Sequence, residues 1–248
     1  MRRHRLFCPD LSEGAVVLPP EESHHAVASL RAKPGREVVL FDGFGGEGVG
    51  RIAQINGRQV RVDVAEVTRR PFELPHKVTL AVAMVKAHRQ GYLIEKCTEL
   101  GAAAIWPIIA DRSVSKPTEA ARKKWVRRAI EAAKQAERSW MPKIAPPQTF
   151  SQSVERIGEF DASSITHIDP SAKPFWTFLV SQADGSSILV WVGPEGGWSD
   201  DERGLALQAG ATLTTLGPTV LRTETAAVAV CAAASMCGVM EDSASKSG

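Results

Sequence analysis

Two stretches of the 248-residue sequence put glycine turns and charged side chains where hydrophobic runs end. The first, ILVWVGPEGGWSDDE, passes from an apolar run into Gly193, Pro194, Glu195, Gly196 and Gly197, and then into a helix-opening Ser199-x-x-Glu202 pattern. The second, TLGPTVLRTETAAVAV, repeats the logic with a Gly217-Pro218 turn followed by Arg222, Thr223, Glu224 and Thr225. Glycine lets a backbone approach a ligand closely, so loops of this kind at strand ends suit a flat heterocycle read by main-chain N–H and C=O groups. A plain structural turn also accounts for the first stretch, and a helix-terminal ion pair for Arg222 and Glu224. Together, though, the two loops could supply a recognition wall and a polar wall to one pocket.

A third glycine cluster points elsewhere. Residues 43–48, Gly-Phe-Gly-Gly-Glu-Gly, match G-x-G-x-x-G, with Asp63 near the spacing of a ribose-binding acid. That motif receives a pyrophosphate only at a helix N-terminus, and here VGRIAQI and Asn56-Gly57 follow, a strand and a turn. A nicotinamide-dependent oxidoreductase is therefore rejected. His24-His25 lacks a third ligand at workable spacing, so no metal site is expected.

The elements that must position the two loops follow from pattern. REVVLFDG, GVGRIAQI and RQVRVDVAEV alternate partially, and Asn56-Gly57 between the last two signals a two-residue type I′ hairpin turn. Residues 1–70 read as a small β-barrel and 71–77, with Pro71 and Pro75, as a linker. From 78 to 240 strands alternate with helices: VTLAVAMV, a helix over RQGYLIEKCTEL closed by Gly101, AIWPII, SITHI, SSILVWV, LTTLG and a last Ala-rich helix. That pattern predicts an α/β domain with a mainly parallel sheet. Residues 241–248 read as a flexible tail.

Charge is unevenly spread. The whole chain carries a net +2, but residues 112–143 hold ten Lys and Arg against three acids, and residues 144–248 hold five against twelve. At helical spacing Trp125, Ala129, Ala132, Ala136 and Trp140 share one stripe, while Lys123, Arg127, Lys134 and Arg138 lie nearly opposite. Such a row is either a solvated face or a surface that displaces counterions from a nucleic-acid backbone. Four scattered cysteines fit neither a disulfide framework nor a zinc knuckle, which points to reduced thiols and a cytoplasmic location. The N-terminus lacks the apolar core of a secretory signal, and Ala226–Met240 is too short to span a bilayer, so no membrane segment is expected.

GPEGGW with LGPTVLRTETA resembles the cofactor-binding signature of the SPOUT RNA methyltransferases, specifically the RsmE type that methylates uridine N3 in 16S ribosomal RNA. The resemblance runs through RRHRLF, HHAVASLRAKPGREVVLFDG, KAHRQGYLIEKCTELGAAAIWPI and EAAKQAERSWMPKI, with departures at Ala87-His88 and Ser29. It implies a PUA-like RNA-binding barrel, an α/β domain tied in a deep trefoil knot, S-adenosyl-L-methionine as cofactor without a metal, and a homodimer. By position, Val192, Gly193, Glu195, Gly196 and Gly197 match its first cofactor loop, and Leu216, Gly217, Leu221, Arg222 and Thr225 its second. Arg222 is the expected stabiliser of a uracil anion, and Glu195, Glu224 or solvent the proton acceptor. Arg3, Arg5, Arg31, Lys33, Lys123, Arg127, Lys134 and Arg138 are the expected RNA contacts. The expected partner is 16S ribosomal RNA within the small ribosomal subunit. A ribose 2′-O methyltransferase and a non-catalytic RNA-binding module are the alternatives.

Overall fold

The computed structural model describes residues 3–244, and side chains as far as Cys237. It divides into two compact units, one of Met1–Glu73 with Ile130–Met141 and one of Leu74–Ala129 with Pro142–Gly248. The expected barrel of residues 1–70 is thus joined by a second, distant piece of chain.

In the smaller unit β1 (His4–Phe7), β2 (Gly14–Val17), β3 (Glu37–Phe41), β4 (Gly46–Asn56) and β5 (Gln59–Arg69) form a five-stranded sheet of order β1-β3-β4-β5-β2, with a short α1 (Pro20–His24) between β2 and β3. Every second residue turns inward, which buries Val60, Val62 and Val64 of β5 against Leu6, Val38, Leu40 and Ile52. The β4–β5 turn differs from expectation. Asn56 pairs with Gln59, so Gly57-Arg58 is the two-residue loop, and only Gly57 has a positive φ, of 58°. Glycine at the first central position alone belongs to a type II′ turn rather than type I′. The G-x-G-x-x-G cluster is a loop built on Asp42, whose Oδ1 accepts from the amides of Phe44 (2.6 Å) and Gly46 (2.9 Å). Strand β4 already begins within it, at Gly46, leaving no helix to receive a pyrophosphate.

The larger unit runs β6 (Lys77–Ala83), α2 (Ala87–Glu99), β7 (Ala104–Ile109), α3 (Glu119–Gln135, whose last residues belong to the smaller unit), β8 (Lys143–Ile144), β9 (Gln148–Thr149), α4 (Phe150–Val154), β10 (Ala162–Thr166), β11 (Lys173–Pro174), α5 (Phe175–Leu179), β12 (Ser187–Val192), α6 (Asp200–Gln208), β13 (Thr212–Thr215) and α7 (Thr223–Ala244). Its sheet has the order β11-β13-β10-β12-β6-β7-β8, with β9 also on β7, and each of these pairings is parallel. A parallel sheet needs cover on both faces, and the side-chain period of two divides its apolar residues accordingly. Val78, Leu80, Val82, Ile188, Val190 and Val192 enter one core with α2, α3, α5 and α7. Ala81, Trp106, Leu189 and Trp191 enter the other with α4 and α6.

Helix ends follow local chemistry. Gly101, at φ 89°, closes α2, with the Ala102 amide donating back to the Cys97 carbonyl. Ser199 and Glu202 form the reciprocal capping box that opens α6. The basic helix α3 stops at Gln135 because Glu137 adopts φ 57° and the Arg138 amide turns back to the Ala133 carbonyl (3.0 Å). The expected apolar stripe therefore holds through Trp125, Ala129 and Ala132 but not beyond, since Ala136 is exposed and Trp140 lies outside the helix. At the other end, α7 continues to Ala244, past the expected start of the tail at 241, and residues 245–248 lie outside the described residues.

Candidate functional site

Because β10, β12 and β13 are parallel neighbours or next neighbours, their C-terminal loops emerge on the same edge of the sheet. There they enclose a cavity of about 180 Å³ lined by Thr166–Ile168 from the first loop, Val192–Glu195 with Gly197 and Trp198 from the second, and Leu216, Gly217, Thr219–Leu221, Thr223 and Ala226 from the third. The loops are stitched together. Thr223 Oγ1 donates to the Gly193 carbonyl (2.8 Å), tying the first turn of α7 to the end of β12. Trp198 Nε1 donates to the Thr166 carbonyl (3.1 Å), tying the second loop to β10. The Gly197 amide donates to the Pro194 carbonyl (2.9 Å), which makes GPEGG a tight turn.

Two of its glycines are required for different reasons. Gly197 has φ 70°, a conformation that costs any residue with a Cβ, and the space beside it is open. Gly193 instead faces the Trp198 indole, where an added Cβ would sit 3.1 Å from the ring. From outside, Arg112 clamps the turn by donating to the Gly196 carbonyl (3.1 Å).

Seven of the ten positions expected to hold a cofactor line this cavity: Val192, Gly193, Glu195, Gly197, Leu216, Gly217 and Leu221. Gly196, Arg222 and Thr225 do not line it, although Gly196 and Arg222 each adjoin residues that do, and Thr225 adjoins Ala226. The sequence gives no sign of Thr166–Ile168, because SITHI reads simply as a strand, and although Trp198 and Thr223 fall within the two loop stretches, nothing local marks them as lining residues.

The three charged candidates fall into distinct settings. Arg222 is exposed, and among the described residues nothing pairs with its guanidinium. Glu195 is exposed on the cavity lining. Glu224 is 7% exposed, lies off the lining, and is bound by Arg89 of α2 at 3.1 Å, a partner that no local pattern names.

The expected RNA contacts also divide. Arg31, Lys33, Lys123 and Arg127 are exposed. Arg3 is exposed but 3.3 Å from Glu37. Three others turn inward. Arg5, with its side chain 10% exposed, pairs with Glu47 (2.8 Å), Lys134 pairs with Glu22 (3.0 Å) and Glu131 (2.9 Å), and Arg138 pairs with Glu73 (2.6 Å). For Lys134 and Arg138 this corrects the idea of a continuous basic row: the helix ends before Arg138, and a buried Glu22 captures Lys134.

Residues 72–235 match the family model described as an RNA methyltransferase domain, and residues 18–65 the one described as an RNA methyltransferase PUA domain. Fold and site thus define an RNA methyltransferase of the SPOUT α/β class with an N-terminal PUA-like domain. Among proteins similar to it, the ribosomal RNA small subunit methyltransferase E of Synechocystis sp. is 35% identical over 216 residues, 86% of this chain and 70% of that protein. A methyltransferase from Legionella pneumophila solved with the bound cofactor SAM superposes with a TM-score of 0.84 at 31% identity, covering 97% of this chain and 98% of the other. The ribosomal RNA small subunit methyltransferase E of Neisseria gonorrhoeae, solved bound to S-adenosyl methionine, gives 0.82 at 28% identity, covering 94% and 96%. The chain belongs to the ribosomal RNA small subunit methyltransferase E family.

Proposed function

We propose that the protein transfers the methyl group of S-adenosyl-L-methionine to N3 of a uridine in 16S ribosomal RNA, within the small ribosomal subunit, as a cytoplasmic homodimer. The observation that carries this reading is the three-loop cavity. Its walls combine apolar faces (Val192, Leu216, Leu221, Trp198) with glycine backbone, a fit to a heterocycle carrying a polar tail. Bound there, S-adenosyl-L-methionine supplies an already activated methyl group, so the chain's own task is alignment and charge management. Val192, Gly193, Glu195, Gly197, Leu216, Gly217 and Leu221 would hold it, with Gly196 inside the first turn and Thr225 in the first turn of α7.

Uracil N3 becomes nucleophilic as its imide proton leaves and negative charge spreads onto O2 and O4. Arg222, exposed and uncommitted among the described residues, is the group to stabilise that anion. Of the two carboxylates, Glu195 is the one placed to take the proton, because it lines the cavity, whereas Glu224 lies off the lining against Arg89. N3 lies on the Watson–Crick edge, so the uridine must be unpaired or extruded to react. The homodimer reading rests on α7, where Ala, Val and Cys side chains allow close helix approach. The cytoplasmic reading rests on the burial of all four cysteines, Cys8, Cys97, Cys231 and Cys237, as thiols.

One preparation tests the reading. After sedimentation, in which a dimer is expected, it is given labelled S-adenosyl-L-methionine and small subunits lacking the modification, and the product nucleoside is identified by mass spectrometry. N3-methyluridine is expected. A ribose-methylated nucleoside would make it a 2′-O enzyme, and RNA binding without transfer a binding module.

For the RNA grip, the exposed cations give a sharper expectation than the whole basic row. Replacing Arg31, Lys33 and Lys123 together by Ala is expected to weaken RNA binding and reduce the slope of log K against log salt by roughly 0.9 for each phosphate that is no longer neutralised. Cofactor affinity is expected to stay unchanged in calorimetry. An unaltered slope would assign these three to ordinary solvated surface. Lys134→Ala acts differently, since removing the partner of buried Glu22 lowers thermal stability first.

A further inference from the structure

The smaller unit holds a groove of about 750 Å³ whose lining includes Arg3, His4, Arg5, Arg36 and Arg70. A second groove of about 350 Å³ shares Arg3, His4 and Arg5 with it and adds His25 and Lys134. Most of these cations already have carboxylate partners: Glu47 holds Arg5 and Arg70, Glu37 holds Arg3, and Glu22 and Glu131 hold Lys134. Arg36 is held differently. Its Nη1 donates to the Leu30 carbonyl (3.0 Å), and its Nη2 lies 2.6 Å from Nε2 of His4. A guanidinium only donates, so this pairing requires His4 to accept, with Nε2 unprotonated. Burial, then the charge of Arg36, then His25 all hold the His4 pKa below the ordinary histidine value. The corner is thus an arginine spending an N–H on an imidazole, next to a second histidine.

We propose that the His4–Arg36 corner is a phosphodiester site for the RNA, and that filling it takes up one proton on His4. The proposal rests on the reading of the chain as an RNA-modifying enzyme. An arriving non-bridging phosphate oxygen accepts the Nη2–H now spent on His4. The freed Nε2 takes a proton from solvent and donates it to the same phosphate, so that imidazole plus proton becomes imidazolium and no other bond is made or broken. The charged groups around His4 are Arg3 and Arg5 on its own strand β1, Arg36 just before β3 and Glu37 at its start, Glu47 on β4, Arg70 after β5, His25 after α1, Glu131 and Lys134 towards the end of α3, and Glu137 just beyond it. Glu37, Glu47 and Glu131 already have cations of their own, so an arriving phosphate supplies the added negative charge that lets His4 ionise. The adjacent histidines of the sequence are accounted for in part, since His25 is one of the groups that hold the His4 pKa down.

The sign of the linkage is fixed. A group whose pKa rises on binding makes binding tighter as pH falls, by at most about tenfold per pH unit for one proton. The experiment follows an unmodified small-subunit RNA fragment binding to the full chain by anisotropy, at constant ionic strength from about pH 8 to about pH 5.5, for wild type, His4→Gln and Arg36→Lys. The wild type is expected to tighten toward acid, His4→Gln to bind with a flat profile, and Arg36→Lys to bind more weakly at every pH. A flat wild type, or a His4→Gln slope equal to it, overturns the proposal and leaves the RNA reading standing. No RNA binding at any pH overturns both. Because a variant can misfold, the wild type is also titrated by NMR with dimethyl phosphate, a monoanion throughout this range. The His4 ring must then show a raised pKa, and an unchanged pKa overturns the proposal without any mutant.

Discussion

Arg222→Ala is expected to lose methyl transfer by about 10²–10³-fold in single turnover, the cost of deleting one preorganised donor from a developing anion. Cofactor binding is expected to persist, because the guanidinium lies off the cavity lining while Leu221 and Thr223 on either side of it face inward. RNA affinity is also expected to persist, being carried by surfaces elsewhere. Arg222→Lys should restore only part of the rate, since a point charge cannot reach two carbonyl oxygens as a planar fork does. The check is single-turnover transfer beside calorimetry with S-adenosyl-L-methionine. Loss of cofactor heat in the Ala variant would make Arg222 a cofactor ligand, and a near-normal rate would remove it from the chemistry.

The second large effect is on stability. Glu47→Gln is expected to destabilise the smaller unit by about 3 kcal/mol, because it leaves Arg5, with its side chain 10% exposed, without its counter-charge. Glu47 Oε2 accepts from Arg5 (2.8 Å) and from Ser139 Oγ (2.6 Å), and Oε1 from Arg70 (2.7 Å). Burial pushes the carboxyl up, but the hydrogen bonds from Ser139 and Arg5 and the charges of Arg5 and Arg70 outweigh it, so its pKa lies below the usual range. A depressed carboxylate pKa stabilises the fold above the unfolded-state pKa, and that contribution fades as pH falls through the folded-state value. Thermal melts from neutral to acidic pH are expected to show wild type and Glu47→Gln converging at the acid end. Parallel curves would mean that Glu47 is not the titrating group.

How much of this is legible in the sequence depends on whether a feature is local. The Ser199/Glu202 capping box, the Gly101 helix end and the glycine turns after β12 and β13 are written in a few neighbouring residues, and they stand where the pattern puts them. What fails is non-local, or carried by a residue without a signal. Nothing in the sequence marks Glu137 as the residue that ends α3 in a left-handed turn, a place where glycine is usual. Helical spacing sets Lys134 and Arg138 away from Trp125, but it cannot show that Glu22, 112 positions earlier, and Glu73 will come round to meet them. Likewise Arg89 meets Glu224 only because α2 and α7 pack on the same face of the sheet. The shift of the hairpin loop from Asn56-Gly57 to Gly57-Arg58 is a single-residue matter of register, which cross-strand pairing decides and composition does not.

The return of residues 130–141 to the smaller unit bears on the order in which the protein can be built. During synthesis residues 1–73 leave the ribosome first, yet Ser139, which bonds Glu47, and Trp140, whose indole donates to the carbonyls of Arg70 and Pro71, come from far later in the chain. At about 5–20 residues per second, the nascent sheet waits several seconds for these partners. The N-terminal piece is therefore not a cassette that can be cut out or transplanted at the proline-rich segment after β5. Any fragment ending there carries Arg5, Glu47 and Arg70 without the hydroxyl and the indole that complete their surroundings.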